Sequence, residues 1–108
     1  LFCDFRHLCM APRSAADFIE LAKRFSTVLV DSVPALDDDL RDPTRRFIYL
    51  VDEFYDRRVK LLVRAEQPIL DLYQGEKLAF EIERTRSRLL EMQSEDYLRM
   101  DHRVEDVA

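Results

Sequence analysis

Glycine is nearly missing from this chain of 108 residues: Gly75 is the only one. A loop that wraps a phosphate needs several glycines, because only a bare backbone lets consecutive N–H groups approach the anion closely. Neither G-x-x-x-x-G-K-[ST] nor G-x-G-x-x-G occurs, so these residues carry no P-loop of their own. Cysteine is scarce as well. Cys3 and Cys9 are too few for a disulfide framework, and they suit a reducing compartment. No apolar run approaches the roughly 20 residues of a membrane span, and no secretory signal pattern is present. Positive charge is in deficit, with 17 Lys and Arg against 22 Asp and Glu. The resulting net charge of −5 argues against nucleic acid as the main partner, since a polyanion is repelled overall.

What is present suits one modest α/β domain, 47% hydrophobic and 36% charged, able to bury its own core. Residues 1–10 start abruptly and are apolar, which reads as a cut through a longer protein near the end of a strand. Ser14, with Asp17 three residues on, resembles a capping box. Phe18, Leu21, Ala22 and Phe25 then put one apolar stripe on a helix over residues 15–25. The β-branched run 27–33, ended by Pro34, predicts a strand buried on both faces. Asp42 followed by Pro43 predicts a helix start, and Phe47, Leu50, Val51 and Phe54 form its inner face up to about Arg57. Residues 59–63 are the next strand. Strand, helix and strand with short connections make a βαβ unit with a parallel pair. Pro68 opens a short helical turn. Leu78, Phe80 and Ile82 alternate, which suggests a short strand over 78–82. Residues 84–92 return to helical spacing with Leu89, Met92 and Leu90 inward. Ser94 caps a further short helix, and residues 101–108 read as a polar tail.

Several motifs invite chemistry, and each has a plainer reading. Residues 47–53 (FIYLVDE) match the wording of a Walker B strand, in which the Asp would hold Mg²⁺ and the Glu would polarise water. Helical spacing and the Asp42-Pro43 start favour a helix instead, with Glu53 and Arg57 as an i, i+4 pair worth about a few tenths of a kcal/mol. Cys3, His7 and Cys9 are three of the four ligands a structural zinc needs, without the usual Cys-x-x-Cys spacing; buried thiols are the plainer reading. Asp37, Asp38 and Asp39 could attract a cation or simply form a solvated loop. Arg84 and Arg88 lie one helical turn apart, a spacing that suits bidentate contact to phosphate or carboxylate. Their plainer reading is ion pairing with Glu81, Glu91 or the aspartate loop. No spacing nominates a catalytic nucleophile.

Two longer strings add a resemblance. Residues 45–61 (RRFIYLVDEFYDRRVKL) and 84–98 (RTRSRLLEMQSEDYL) resemble the late segments of the ZapE/AFG-one-like ATPase family. The latter follows that family's signature R-T-x-S-R-L-x-E-M-x-S-x-x-Y-L. Phe5-x-x-Leu8-Cys9, Asp17-Phe18-Ile19 and Val33-Pro34 agree, so the resemblance covers residues 2–98 in order. It implies that residues 1–98 are the C-terminal portion of an AAA+-like P-loop ATPase, with 99–108 a polar tail. ATP and Mg²⁺ would be bound by an upstream region. The resemblance further implies an FtsZ-like division protein or another protein client as partner, homo-oligomers, and a bacterial cytoplasm reaching the division septum at the membrane periphery, or a mitochondrion in a eukaryote. Arg84 and Arg88 carry over as candidates for nucleotide sensing or for an intersubunit arginine finger, and no catalytic or metal-binding residue carries over. Two positions depart from the family wording: Arg64-Ala65 after the second strand, where many relatives have Ser-Ala, and Arg86, where relatives often have an apolar residue. The order of strand 27–33, helix 43–57 and strand 59–63 echoes the Walker B and sensor strands of such proteins, as a degenerate copy would.

Three functions compete on this reading. The chain supplies arginines to an ATPase that is inactive without its Walker motifs, or it is a non-catalytic module that docks the client or the ATPase core, or it stands alone as a structural domain.

Overall fold

Valine-rich Thr27–Val33 (β2) is the middle strand of a three-stranded sheet in the computed structural model, which describes residues 1–103. Phe2–Asp4 (β1) runs parallel on one side, with Phe2 opposite Leu29 and Cys3 opposite Val30. Lys60–Ala65 (β3) runs parallel on the other, with Thr27 opposite Lys60 and Val30 opposite Val63. Parallel neighbours need crossovers, and helices supply both. Ala15–Arg24 (α1) joins β1 to β2, and Arg41–Asp56 (α2) joins β2 to β3. Ala79–Glu91 (α3) and the short Glu95–Arg99 (α4) follow. The expected α/β class is therefore present, and its two predicted strands pair in parallel as a βαβ unit requires.

Helix α2 organises the core because its apolar residues recur at helical spacing. Phe47, Leu50, Val51 and Phe54 are fully buried, as the sequence predicts, and Thr44 and Ile48 join them. Helices α1 and α3 flank it. Phe5, Phe18, Val28, Val30 and Val33 complete the interior, with the Phe5 and Phe47 rings 6.1 Å apart. Each such side chain contributes about 1.5–3 kcal/mol by leaving water.

Burial of β2 on both faces is not seen among the described residues. Val28, Val30 and Val33 turn inward and are buried, but the other face is open: Phe2, Leu29 and Leu62 lie across the three strands in register, and Phe2 and Leu62 are 63% and 50% exposed. Among the described residues the helices bury one face, so a continuous apolar run does not by itself mean two covered faces.

Element boundaries are set by local polar contacts. The Asp17 carboxylate accepts the Ser14 N–H at 2.9 Å at the start of α1. Asp37 accepts from the N–H groups of Asp39 and Leu40 and caps a 3-10 turn, Asp38–Leu40, that runs directly into α2. The helix therefore begins before Asp42, and Pro43 sits in the first turn, where its missing N–H costs nothing. The strand expected over 78–82 is instead the start of α3. Leu78 and Ile82 are buried at i, i+4 while Phe80 is 88% exposed, so three alternating residues mimicked a strand. Leu89 and Met92 face inward as expected, but Leu90 does not and is 47% exposed. Gly75 has a steric reason. A Cβ there would lie 2.6 Å from Asp38 Oδ1 and 2.7 Å from the Tyr73 hydroxyl oxygen.

Past α4, the main-chain N–H of Arg103 donates to the Arg57 carbonyl at 2.8 Å, and the His102 ring contacts the Ala22 carbonyl. Residues 104–108 of the predicted tail lie outside the described residues.

Candidate functional site

The seam between α2 and α3 gathers the residues that the sequence reading singled out. Arg84 and Arg88 stand one turn apart on α3, and Asp52 projects from α2 toward both. Each carboxylate oxygen takes one guanidinium: Arg84 Nη2 donates to Oδ2 at 3.2 Å, and Arg88 Nη1 donates to Oδ1 at 2.5 Å. The two arms differ in exposure. The Arg84 side chain is 60% exposed, whereas those of Arg88 and Asp52 are 24% and 20% exposed. Water screens the outer arm more than the inner one, so the Arg88 pair contributes more to stability.

Beyond Arg88 the contacts continue through aromatic rings. The Arg88 guanidinium lies 4.9 Å from the centre of the Tyr55 ring, a cation–π distance. The Tyr55 hydroxyl donates to Glu91 Oε2 at 2.5 Å, and that carboxylate holds the phenol's pKa above its ordinary value. Tyr55 stacks on Tyr97 with ring centres 6.0 Å apart. The buried Tyr97 hydroxyl donates toward the carbonyls of Val59 at 2.6 Å and Phe54 at 3.2 Å, and burial pushes its pKa up. Lys60 Nζ sits 5.1 Å from the Tyr97 ring centre and donates to the carbonyl of Met100. The two strings that carry the resemblance are thus bonded to each other along the seam.

Asp52 is the partner that the sequence reading missed. It named Glu81, Glu91 and the aspartate loop, yet Glu91 goes to Tyr55 and the loop is occupied elsewhere. Asp52 is separated from Arg84 and Arg88 by 32 and 36 residues, so no local spacing rule could pair them. Arg86 points away from this cluster. It donates to Glu83 at 2.7 Å and toward the Tyr73 carbonyl at 3.3 Å, and its side chain is 22% exposed.

The other candidate motifs resolve into structure. Residues 47–53 lie inside α2, so the Walker B wording belongs to a helix, and Glu53 pairs with Arg57 at 3.9 Å. Burial raises the Glu53 pKa, against the opposing pull of Arg57. Asp38 accepts the N–H groups of Glu76 and Lys77 and the Tyr73 hydroxyl; the Lys77 N–H is the chief reason its pKa is lowered. It pins the loop that leads into α3. Among the described residues no three His, Cys, Asp or Glu side chains converge as metal ligands, and Cys9 is buried while Cys3 is half-buried. Arg64, one of the departures, pairs with Asp31 at 3.6 Å on the open face of the sheet. For a nucleotide, the described residues offer two guanidiniums that could touch a phosphate. They offer no glycine loop to cradle one.

A parallel α/β unit whose signature residues lock two helices together defines a class, and comparison with known proteins gives its family. Residues 1–101 match the AFG1-like ATPase family, and the chain belongs to it. It is 49% identical over 102 residues to the Escherichia coli K12 protein named Cell division protein ZapE, covering 94% of this chain and 27% of that protein. A zebrafish (Danio rerio) protein, Lactation elevated protein 1 homolog B, is 31% identical over 88% of this chain and 25% of its own length. The chain thus spans about a quarter of the length of these relatives. No solved structure matches it. No helix among the described residues is long and apolar enough to cross a membrane.

Proposed function

We propose that this chain is the arginine-bearing C-terminal portion of an AAA+-like P-loop ATPase that couples ATP hydrolysis to remodelling of a protein client. Membership of the AFG1-like ATPase family supports ATPase activity for the whole protein, and the name of the Escherichia coli relative supports a role in bacterial cell division. An FtsZ-like client and a place at the septum are part of the proposal. The observation that carries the reading is the Asp52 fork. It holds Arg84 and Arg88 side by side, and it leaves Arg84 mostly in solvent, where a phosphate oxygen could replace the carboxylate. ATP and Mg²⁺ belong to polypeptide outside these residues, since no glycine loop lies within them. Alone, the chain is expected to hydrolyse no ATP.

Substitution in the full-length ATPase tests this. A guanidinium that stabilises transferring phosphate contributes about 10³–10⁵ in turnover. Arg84→Ala is expected to lower turnover by orders of magnitude while the melting temperature hardly moves. Arg88→Lys keeps the charge but loses the fork and is expected to be similarly impaired. Wild-type rates in both variants would end the arginine reading.

The open sheet edge favours a second reading, a non-catalytic module that docks a client. It predicts that the isolated chain retains client without nucleotide in a pull-down, and no retention by folded chain would count against it.

A further inference from the structure

The Asp52 carboxylate stands where a phosphate group would stand. Each of its oxygens receives one guanidinium, from Arg84 at 3.2 Å and from Arg88 at 2.5 Å, and two oxygens of a phosphate meet a pair of arginines in the same fork. The two arginines are held in different ways. Among the described residues Asp52 is the one carboxylate that Arg84 meets, since Glu91 goes to Tyr55 and Glu83 to Arg86. The Arg84 side chain is 60% exposed, so it follows whichever anion lies in the fork. Arg88 has a second support. Its guanidinium lies 4.9 Å from the centre of the Tyr55 ring, and that ring is fixed by its hydroxyl on Glu91 and by its stack on buried Tyr97. This support does not involve Asp52, so Arg88 keeps its place when the carboxylate leaves.

Two anions repel and cannot share one fork, so a phosphate enters only as Asp52 lets go. The Asp52 side chain is 20% exposed and already touches water, so it can turn outward while α2 stays folded. We propose that Asp52 is an internal competitor: it fills the Arg84–Arg88 fork and keeps a phosphate out until that phosphate displaces it. This rests on the arginine reading above and adds its control. The same pair of arginines either ties α3 to α2 or holds a phosphate, and Asp52 sets the balance. Two ion pairs are given up on displacement, one exposed and one half-buried, and such pairs are individually weak. Together they lower phosphate affinity by about tenfold.

Asp52→Asn tests this in the isotope-labelled full-length protein, where the rest of the polypeptide is present. The substitution keeps the shape of the side chain but turns one accepting oxygen into a donor that a guanidinium cannot meet. Inorganic phosphate is titrated at constant ionic strength, and the guanidinium resonances of Arg84 and Arg88 report binding at the fork alone. D52N is expected to bind phosphate at least about tenfold more tightly than the unsubstituted protein. Asp52→Glu keeps a carboxylate and should gain less than about threefold. Adding Arg84→Ala to D52N should remove the gain. A second arm replaces phosphate with ATP and follows turnover. Neutralising a competitor raises kcat/KM, here by about tenfold, whereas loss of a merely structural carboxylate should lower it. A gain in both arms names the phosphate chain of the nucleotide as the rival of Asp52, and a gain with inorganic phosphate alone names free phosphate. The proposal is overturned if D52N gains in neither arm, or if its gain survives Arg84→Ala. Where D52N does not fold, the unsubstituted protein decides. Phosphate must then move the Asp52 carboxyl resonance together with both guanidiniums, and shifted arginines beside an unmoved Asp52, or no shifts at all, overturn the proposal. Wild-type turnover in Arg84→Ala alone would end the arginine reading and leave the phosphate titration to decide the competitor by itself.

Discussion

The α2–α3 seam and the β3 edge lie on the same molecule and follow opposite rules. Along the seam, Asp52, Arg84, Arg88, Tyr55, Glu91, Tyr97 and Lys60 each find a partner within the chain. At the edge, the outward donors and acceptors of Leu61, Val63 and Ala65 have no protein partner among the described residues, beside an apolar groove. Polar groups that are buried and satisfied internally specify how two helices sit, whereas those on an exposed strand edge are left to water. The lesson is that the chemically eye-catching residues here mostly hold the fold, and the plain aliphatic strand is what stays uncovered among the described residues.

The sharpest way to break the comparison is to unmake the closed region. Tyr97 is 2% exposed and its hydroxyl is bonded to two main-chain carbonyls. Tyr97→Ala should cost about 3–5 kcal/mol in urea unfolding, the range for removing a buried aromatic. A loss below about 1 kcal/mol would mean that the seam is not closed around that ring.

Next in size is the clasp that fixes the start of α3. Gly75→Ala places a methyl against Asp38 and Tyr73, and overpacking of this kind costs about 1–3 kcal/mol. The companion Asp38→Asn variant should remove the acid sensitivity of this loop. Asp38 has a lowered pKa, so its contribution is present above the unfolded value of 3.8 and is lost as pH falls through the folded one. Exchange of the Glu76 and Lys77 amides at low pH reads this directly.

A smaller effect separates the two arms of the fork. Double-mutant cycles should give about 1 kcal/mol of coupling between Asp52 and Arg88 and about 0.3 kcal/mol between Asp52 and Arg84, with the second vanishing in high salt. Equal couplings would remove the argument that Arg84 is the arm free to reach a phosphate.

The smallest effect contrasts the two cysteines. Cys3 lies in the edge strand β1 and Cys9 in the closed interior, where burial pushes its thiol pKa up to about 12. Because the folded value is raised, Cys9 contributes its full stability below the ordinary 9.0 and loses it as pH climbs toward about 12. In native protein at pH 8 a thiol reagent should modify Cys3 well before Cys9, and in denaturant both should react alike.

Sequence reasoning placed the central strand and the inner face of α2 almost to the residue, because both rest on local periodicity that burial then respects. It erred over residues 78–82, where Leu78, Phe80 and Ile82 fit a strand by alternation and a helix by the i, i+4 spacing of the outer two. Among the described residues β2's second face has no cover, and apolar character does not report whether a covering layer exists. At the seam the arginine pair was visible from its spacing, but Asp52 was not, because its helix reaches α3 only after β3 and a long loop have turned the chain back.

By itself the sequence determined most of the helices and strands, residues 78–82 excepted, most of the side chains that leave water, Leu90 excepted, and that no phosphate loop lies among these residues. Those properties depend on near neighbours along the chain: hydrophobic spacing, caps and the scarcity of glycine. Only the tertiary structure decided that Asp52 joins Arg84 to Arg88 and that Gly75 makes room for Asp38. Each of these depends on residues about 30 or more apart being brought within a few ångströms, and that distance is set by packing and not by spacing.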